Sequence, residues 1–205
     1  MRGDPIAKSG QVVGLLGGSF NPAHDGHVHV TKTALQRFGL NRVWWLVSPG
    51  NPLKSEDPAP MADRIAQAAH IMDHPRVEIT DIECRLGTKY TAQTIEKLQH
   101  RYPGVRFVWL MGADNLTQFH RWQDWQWIME NVPLGVVARP RDTVAARLSK
   151  AATVYRRAML PAHASVILAN GTAPRWCFIN MPMSDQSSSA IREQGVKHCT
   201  FPSHR

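Results

Sequence analysis

Cysteine is scarce in this sequence and is not arranged for cross-linking or metal binding. The chain of 205 residues has three cysteines, Cys84, Cys177 and Cys199, and no two of them form a C-x-x-C pair. An odd number of widely separated cysteines predicts neither a disulfide framework nor a thiolate zinc site. We therefore expect a protein of a reducing compartment, the cytoplasm.

The sequence also has no long apolar run. Its first eleven residues carry charged side chains with no apolar run behind them, which argues against a secretory signal. The longest uncharged stretch, 158–174, contains Pro161, Asn170 and Gly171 and would make a poor membrane span. We expect no association with a membrane.

Acidic residues are outnumbered, since 16 Asp and Glu stand against 24 Lys and Arg, giving a formal charge of +8. This surplus favours an anionic partner, and charge alone leaves nucleic acid, acidic lipid and nucleotide phosphates open. Tryptophans could stack on bases in a nucleic-acid-binding module, but the cations are scattered, so we expect no nucleic-acid partner. We interpret part of the surplus as a solvated helix face, formed by Arg139, Arg141, Arg147, Lys150, Arg156 and Arg157.

The order of apolar segments predicts the fold class. Short runs rich in β-branched residues and tryptophan alternate with longer helical patterns, which is typical of a βαβ chain. We predict an α/β fold with a parallel sheet and helices on both faces, in a single domain over 11–196, between an extension, 1–10, and a tail, 197–205. The predicted strands are 12–16, 43–47, 77–80, 105–111, 134–138 and 176–179, and the predicted helices are 26–38, 62–72, 91–101 and 144–157.

The first predicted strand runs into a turn rich in glycine and histidine, G-G-S-F-N-P-A-H-D-G-H at 17–27. A glycine pair lets the backbone approach a phosphate, and the start of the following helix offers free N–H groups and a positive dipole end. The spacing matches neither G-x-x-x-x-G-K-[ST] nor G-x-G-x-x-G. We expect His24 and His27 to project from the first helical turn toward the glycines, where they can donate to phosphate oxygens.

The two histidines also have plainer interpretations. They could be ordinary turn residues, or they could form a surface metal site with His29. No thiolate and no convincing third ligand accompanies them, so we expect no metal held by protein side chains. An H-x-x-H pair alone is a weak signal, and its place in a glycine-rich turn between strand and helix makes it strong.

Two further segments combine polar groups with a strand end or a helix start. W-W-L-V-S-P-G-N-P-L-K at 44–54 is a buried strand that opens into a proline-rich loop, 48–60, which could hold an anionic substrate through Asn51 and Lys54. Y-T-A-Q-T at 90–94 begins a helix, where Thr91 taken alone is interpreted first as an N-cap.

Later segments add an aspartate, a tryptophan cluster and a run of serines. Asp114 follows the fourth strand and could meet a ribose hydroxyl, a metal-bound water or a cation. The tryptophans at 122, 125 and 127 are on general grounds core or interface residues, although an aromatic face beside a cationic pocket could stack on a pyridine ring. S-S-S-A-I-R at 187–192 opens a short helix, either as capping alone or as an anion site that includes Arg192.

The stretch 17–27 resembles the G-G-[ST]-F-[ND]-P-x-H-x-G-H signature of the nucleotidyltransferases that carry an H-x-G-H motif. Over 17–192 the segments resemble the bacterial nicotinate-nucleotide adenylyltransferases, with W-W-[LI]-V-[ST]-P-x-N-P-[LH]-K, Y-T-x-x-T, G-x-D-[NS], F-x-x-W and I-S-S-T-x-[IL]-R. The resemblance implies a Rossmann-like sheet and transfer of AMP from ATP to nicotinate mononucleotide, with release of pyrophosphate and no covalent intermediate. It implies no particular oligomeric state. Phosphopantetheine adenylyltransferases share the first loop but lack the block at 112–125, and they are the alternative.

The same resemblance implies roles for individual residues. Mg²⁺ would be bound mainly through the ATP phosphates, and Trp122 would stack on the pyridine ring. Gln186 and Ser189 depart from the isoleucine and threonine of the pattern, which we expect to loosen packing and leave the chemistry intact. The implied catalytic residues are His24, His27 and Arg192; the ATP-binding residues are Gly18, Ser19, Phe20, Gly112, Asp114, Ser188 and Ser189; and the residues for nicotinate mononucleotide are Asn51, Lys54, Thr91 and Trp122.

Overall fold

The computed structural model describes residues 3–50, 58–138 and 143–180. Within them one parallel sheet has seven strands in the order β3-β2-β1-β4-β5-β7-β6. The Rossmann-like parallel sheet predicted from the sequence is confirmed, as are all six predicted strands. The strands are β1 Val12–Gly18, β2 Arg42–Val47, β3 Val77–Thr80, β4 Arg106–Gly112, β5 Leu134–Ala138, β6 Met159–Leu160 and β7 Trp176–Asn180.

Helices fill the connections between strands. Three of the four predicted helices are confirmed, as α1, α2 and α4, and shorter helices accompany them. The α-helices are α1 Asp25–Arg37, α2 Met61–Ile71, α3 Ile82–Leu86, α4 Thr91–Arg101, α5 Ala113–Gln118, α6 Trp125–Asn131, α7 Thr143–Arg147 and α8 Lys150–Val154. Short 3₁₀ segments are Phe119–Arg121, Arg156–Ala158 and Ala162–Asn170.

The prediction of a single helix over 144–157 is wrong. The structure ends α7 at Arg147 and begins α8 at Lys150. Ser149 separates them with an extended backbone, and its hydroxyl accepts a hydrogen bond from the N–H of Ala152. A serine that caps a new helix competes with continuation of the old one. The strand β6 was not predicted, because two residues carry no periodic pattern.

The core lies in two layers, one on each face of the sheet. Val13 and Leu15 of β1 point into the layer that includes α4, whereas Val12 and Leu16 point into the layer that includes α1. This alternation is the period of two expected for a strand, and both faces are apolar because helices cover both. No helix of the described residues has the length and apolar character needed to cross a membrane.

The strand order also places the functional edge. The chain moves outward from β1 through β2 to β3 and then returns to β4 on the other side of β1. The helices after β1 and β4 therefore lie on opposite faces of the sheet, and open α/β sheets bind ligands at the carboxyl ends of strands that diverge in this way.

Candidate active site

The turn that follows β1 is tightly packed against the neighbouring strand. A Cβ atom on Gly17 would lie 2.6 Å from Cη2 and 3.0 Å from Cζ2 of Trp109, which stands on β4. An indole this close leaves no room for a side chain. The first glycine of the pair is thus required by the approach of the two strands.

His24 and His27 are held by a reciprocal cap at the start of α1. Nδ1 of His24 accepts from the N–H of Gly26 at 3.0 Å, and Nδ1 of His27 accepts from the N–H of His24 at 3.2 Å. The ring centroids are 3.9 Å apart. Because Nδ1 accepts in both rings, the proton of each neutral imidazole lies on Nε2. The two imidazoles therefore lie side by side at the start of α1, His24 as the N-cap residue and His27 in the first helical turn.

The buried ring of Phe20 packs against both His27 and Trp45. Its side chain is 1% exposed and stacks on Trp45 at 4.8 Å between centroids and 11° between planes, and the His27 ring lies 4.8 Å from it. Its backbone has φ +45°, a left-handed conformation that costs a non-glycine residue about 1–3 kcal/mol. Any contact of Phe20 with a nucleotide would be made through its main chain.

A second support reaches His27 through its carbonyl oxygen. The indole N–H of Trp45 donates to the hydroxyl of Thr31 at 2.7 Å, and that hydroxyl donates to the carbonyl of His27 at 2.8 Å. Thr31 is fully buried. Side chains of β2 and α1 thus fix the backbone from which the His27 imidazole projects.

The carboxyl end of β4 lies beside this turn, because β1 and β4 are paired with Leu16 opposite Leu110. Gly112 ends β4 and Ala113 begins α5, so Asp114 stands exposed in the first helical turn. A Cβ atom at Gly112 would collide with Oδ1 of Asp114. The structure therefore brings Gly112 and Asp114 to the same edge of the sheet as the glycine–histidine turn.

On the face of the sheet opposite to α1, helix α4 begins at Thr91. The residue before it, Tyr90, is the capping residue and gives no side-chain hydrogen bond. The interpretation of Thr91 as an N-cap is therefore wrong. The first N–H groups of α4 lack partners inside the helix, as at any helix start, and no side chain of the capping residue covers them.

Trp122 is half-buried and makes edge contacts with Trp109 at 6.2 Å and Phe119 at 5.3 Å. It is connected to the end of β1 through Trp109, which packs against Gly17. Trp125 and Trp127 pack against the core, as their general tendency predicted.

Sequence reasoning missed Glu83, which is 8% exposed at the base of the loop that precedes α4. Burial raises the pKa of this carboxyl to about 7, and the hydroxyl of Thr94, which donates to it at 3.5 Å, opposes the rise. Thr94 also shares a hydrogen bond of 2.8 Å with Thr88. No pattern in the short helix α3 marks Glu83 as buried.

It also missed Arg64, a fully enclosed cation on α2 that is 2% exposed. Its guanidinium donates to three backbone carbonyls, and one of them belongs to Ser19 of the glycine–histidine turn. A signal was available, because Arg64 stands four residues before Ala68 on the buried stripe of α2. A cation at that spacing is out of place on an apolar face.

Several predicted residues lie outside the described residues, namely Asn51, Lys54, Arg139, Arg141, Gln186, Ser188, Ser189, Arg192 and the tail at 197–205. Four cations of the basic segment are described and all are exposed, namely Arg147, Lys150, Arg156 and Arg157. The expectation of a solvated face is confirmed for these four.

The fold and the turn define the class. The chain has the parallel sheet and the paired histidines of a nucleotidyltransferase, and the sequence model of the cytidylyltransferase-like family matches residues 15–194. A solved nicotinic acid mononucleotide adenylyltransferase of Plasmodium falciparum, in complex with NaAD, superposes with a TM-score of 0.69 over 89% of this chain and 83% of its own, at 15% identity. At that identity the likeness concerns the fold.

Curated relatives define the family more narrowly. A protein of Roseobacter denitrificans named probable nicotinate-nucleotide adenylyltransferase is 61% identical over 95% of this chain and 98% of its own length. One of Parvibaculum lavamentivorans with the same name is 52% identical over 91% of this chain and 93% of its own. The chain belongs to the nicotinate-nucleotide adenylyltransferases.

Proposed function

We propose that this protein transfers the AMP part of ATP to nicotinate mononucleotide and releases pyrophosphate. The observation that carries the proposal is the pair of His24 and His27, whose Nδ1 atoms are both occupied as acceptors at the start of a helix beside the glycine turn. The membership of this chain in the nicotinate-nucleotide adenylyltransferases, which rests on its sequence relatives, supports the same reaction.

In this proposal a phosphate oxygen of the mononucleotide attacks the α-phosphorus of ATP in line. A bond forms between that oxygen and the α-phosphorus, and the bond from the α-phosphorus to the bridging oxygen breaks, so pyrophosphate leaves with the bond electrons. Charge grows on the equatorial and leaving oxygens, and fixed donors stabilise it. The Nε2–H groups of His24 and His27 would supply such donors, together with Arg192.

The ATP would lie along the carboxyl ends of β1 and β4. Gly18 and Ser19 would offer main-chain N–H groups to phosphate, and Gly112 and Asp114 would meet the nucleoside part. Ser188 and Ser189 complete the proposed set. The N-terminus of α1, a helix of thirteen residues, adds its dipole to the same edge of the sheet.

The acceptor would lie between Trp122 and the start of α4. The N–H groups in the first turn of α4 have no partner inside the helix and suit the ring carboxylate of nicotinate, and a half-buried indole offers a face or edge to the pyridine ring. Thr91 belongs to this part of the proposal, as do Asn51 and Lys54.

We further propose that ATP arrives as its Mg²⁺ complex. In the described parts of the chain, no three His, Cys, Asp or Glu side chains gather at one point. In this proposal the ATP phosphates hold most of the coordination positions of Mg²⁺, which neutralises their charge. A cytoplasmic location belongs to the same proposal, and the thiols of Cys84 and Cys177, both unpaired, support it.

The decisive experiment measures pyrophosphate release from Mg²⁺·ATP with each acceptor in turn. We expect release with nicotinate mononucleotide and none with phosphopantetheine. Release with phosphopantetheine alone would transfer the assignment to that branch of the superfamily. If oligonucleotides bind with a steep salt dependence and no acceptor gives release, the protein is a nucleic-acid-binding module.

A further inference from the structure

We infer that Arg64 is a positioning residue for adenylyl transfer. Through carbonyl oxygens it holds the glycine–histidine turn at 17–27, called here the nucleotide turn, and the two ends of the proline-rich loop at 48–60, called here the acceptor loop. This inference rests on the proposed function for its kinetic consequence. Its structural basis is a single guanidinium that joins segments from three parts of the chain.

Arg64 is a buried cation without a described anionic partner. It is 2% exposed, and the ion pairs of the described residues involve Arg85 and Arg101 instead. Burial lowers the pKa of its guanidinium, which keeps its proton at neutral pH because an arginine is not deprotonated in proteins. An enclosed charge is costly unless hydrogen bonds or an opposite charge compensate it. Its position therefore calls for a role other than core packing.

The compensation comes from main-chain carbonyls. Nη1 of Arg64 donates to the carbonyl of Ser19 at 2.7 Å and to that of Ser48 at 2.8 Å, and Nε donates to the carbonyl of Ala59 at 2.7 Å. Nη2 lies 3.7 Å from the sulfur of Met61. A planar fork with fixed N–H directions can serve several carbonyls at once, which an ammonium group cannot reproduce.

Two of these carbonyls stand where neighbouring strands end. Ser19 follows β1 and Ser48 follows β2, and the strands are paired up to Gly18 opposite Val47. The N–H of Ser48 still donates to the carbonyl of Gly18 at 3.0 Å. Arg64 thus binds the segments that follow β1 and β2 directly beyond the last hydrogen bond between the two strands, where these segments would otherwise separate.

The bond to Ser19 also sets the direction of the next N–H group. In a planar trans peptide the C=O and N–H bonds point in opposite directions. With the carbonyl of Ser19 turned inward to Arg64, the N–H of Phe20 points away from the guanidinium. Phe20 is the residue with φ +45°, so Arg64 on one side and the Trp45 stack on the other hold a strained backbone in place.

Ser48 and Ala59 are the described ends of the acceptor loop. Arg64 binds both, and the N–H of Ala59 adds a bond of 3.3 Å to the side chain of Asn21. One side chain therefore links the nucleotide turn to the base of the acceptor loop. An anionic triphosphate bound at the turn would also supply the counter-charge that Arg64 lacks among the described residues.

The test compares Arg64→Met and Arg64→Lys with two controls. Ile95→Ala removes a fully buried side chain in the opposite core layer and lowers stability without touching either loop. Arg157→Met removes an exposed cation. For each protein we would measure kcat and both KM values well below its melting temperature, and in parallel the affinity for ATP by calorimetry without any acceptor.

For Arg64→Met we expect kcat/KM to fall about 100-fold, because a misplacement of about 1 Å at reacting groups costs about that much. Affinity for ATP should fall as well. Arg64→Lys should lose about tenfold, a partial rescue, since an ammonium restores the charge and some of the three bonds. Arg157→Met should keep the wild-type kcat and both KM values, and Ile95→Ala should keep the wild-type kcat and KM for ATP.

The inference is overturned if Arg64→Met loses no more activity and ATP affinity than Ile95→Ala. If the methionine variant does not fold, Arg64→Lys decides, and wild-type kcat and KM in that variant overturn the inference as well. Failure of the proposed function would look different, because the wild-type protein itself would then release no pyrophosphate with nicotinate mononucleotide. In that case the ATP affinities of the Arg64 variants, compared with those of the controls, would still test whether Arg64 positions the nucleotide turn.

Discussion

Replacement of Gly17 by alanine tests how the glycine turn and the acceptor side are coupled. The new methyl group would lie 2.6 Å from Cη2 of Trp109. Trp109 is 2% exposed and packs edge-on against Trp122, so the indole has no free space to enter. Either the indole or β1 must shift.

The size of the effect follows from this overlap. Forcing a methyl group into a packed core costs about 1–3 kcal/mol. At about 2 kcal/mol, a domain of this size loses about 4–8 °C in melting temperature. A displaced Trp109 also moves Trp122, so we expect KM for nicotinate mononucleotide to rise about tenfold while KM for ATP changes less.

Gly18→Ala is the matched control on the next residue. Its new methyl group would lie 3.4 Å from the Phe20 ring, an ordinary contact, so the melting temperature should stay near that of the wild type. The assays are thermal unfolding and steady-state kinetics with each substrate varied. Equal melting temperatures for the two variants would refute the reasoning, because they would show that Trp109 moves aside at no cost.

The remaining predictions concern His27, the selectivity for the acceptor and the pH dependence of stability. His27→Ala should lower kcat about 10²- to 10³-fold in a steady-state assay, since a transition-state donor is lost. The fold should survive with a loss of about 1 kcal/mol in the free energy of unfolding, because Nδ1 of His27 also accepts from the N–H of His24. Near-wild-type turnover would remove His27 from the mechanism. The kcat/KM for nicotinate mononucleotide should exceed that for nicotinamide mononucleotide about tenfold to a hundredfold, because a carboxamide would set its own N–H₂ against main-chain donors. Equal kcat/KM for both mononucleotides would contradict the nicotinate assignment. Trp122→Ala should weaken binding of the acceptor more than binding of ATP. Burial raises the pKa of Glu83 to about 7, so its contribution to stability is complete below about pH 4 and is lost as the pH rises through about 7. Glu83→Gln should remove about 3 kcal/mol of the pH dependence of the unfolding free energy, measured in urea. An unchanged profile would show that Glu83 is not the group responsible.

Local patterns determined a large part of this protein. The runs at β1, β2, β4 and β5 predicted buried parallel strands because strands covered on both faces are apolar at nearly every position. The turn at 17–27 predicts a phosphate site because glycines, a helix start and two histidines occur together within a short stretch of chain. Residues that are neighbours in sequence are neighbours in space there, so the spacing of His24 and His27 places both at the start of α1.

Tertiary structure decided what depends on residues far apart in the chain. The carbonyls that Arg64 binds belong to Ser19, Ser48 and Ala59. Glu83 accepts a hydrogen bond from Thr94 across a loop, and Trp122 packs against Trp109, which lies against Gly17. The strand order places β2 and β4 on either side of β1, which brings Ser48 beside Ser19 and Trp109 beside Gly17. A sequence pattern records which residues are apolar or charged, but whether a charge is enclosed depends on the elements that fold over it.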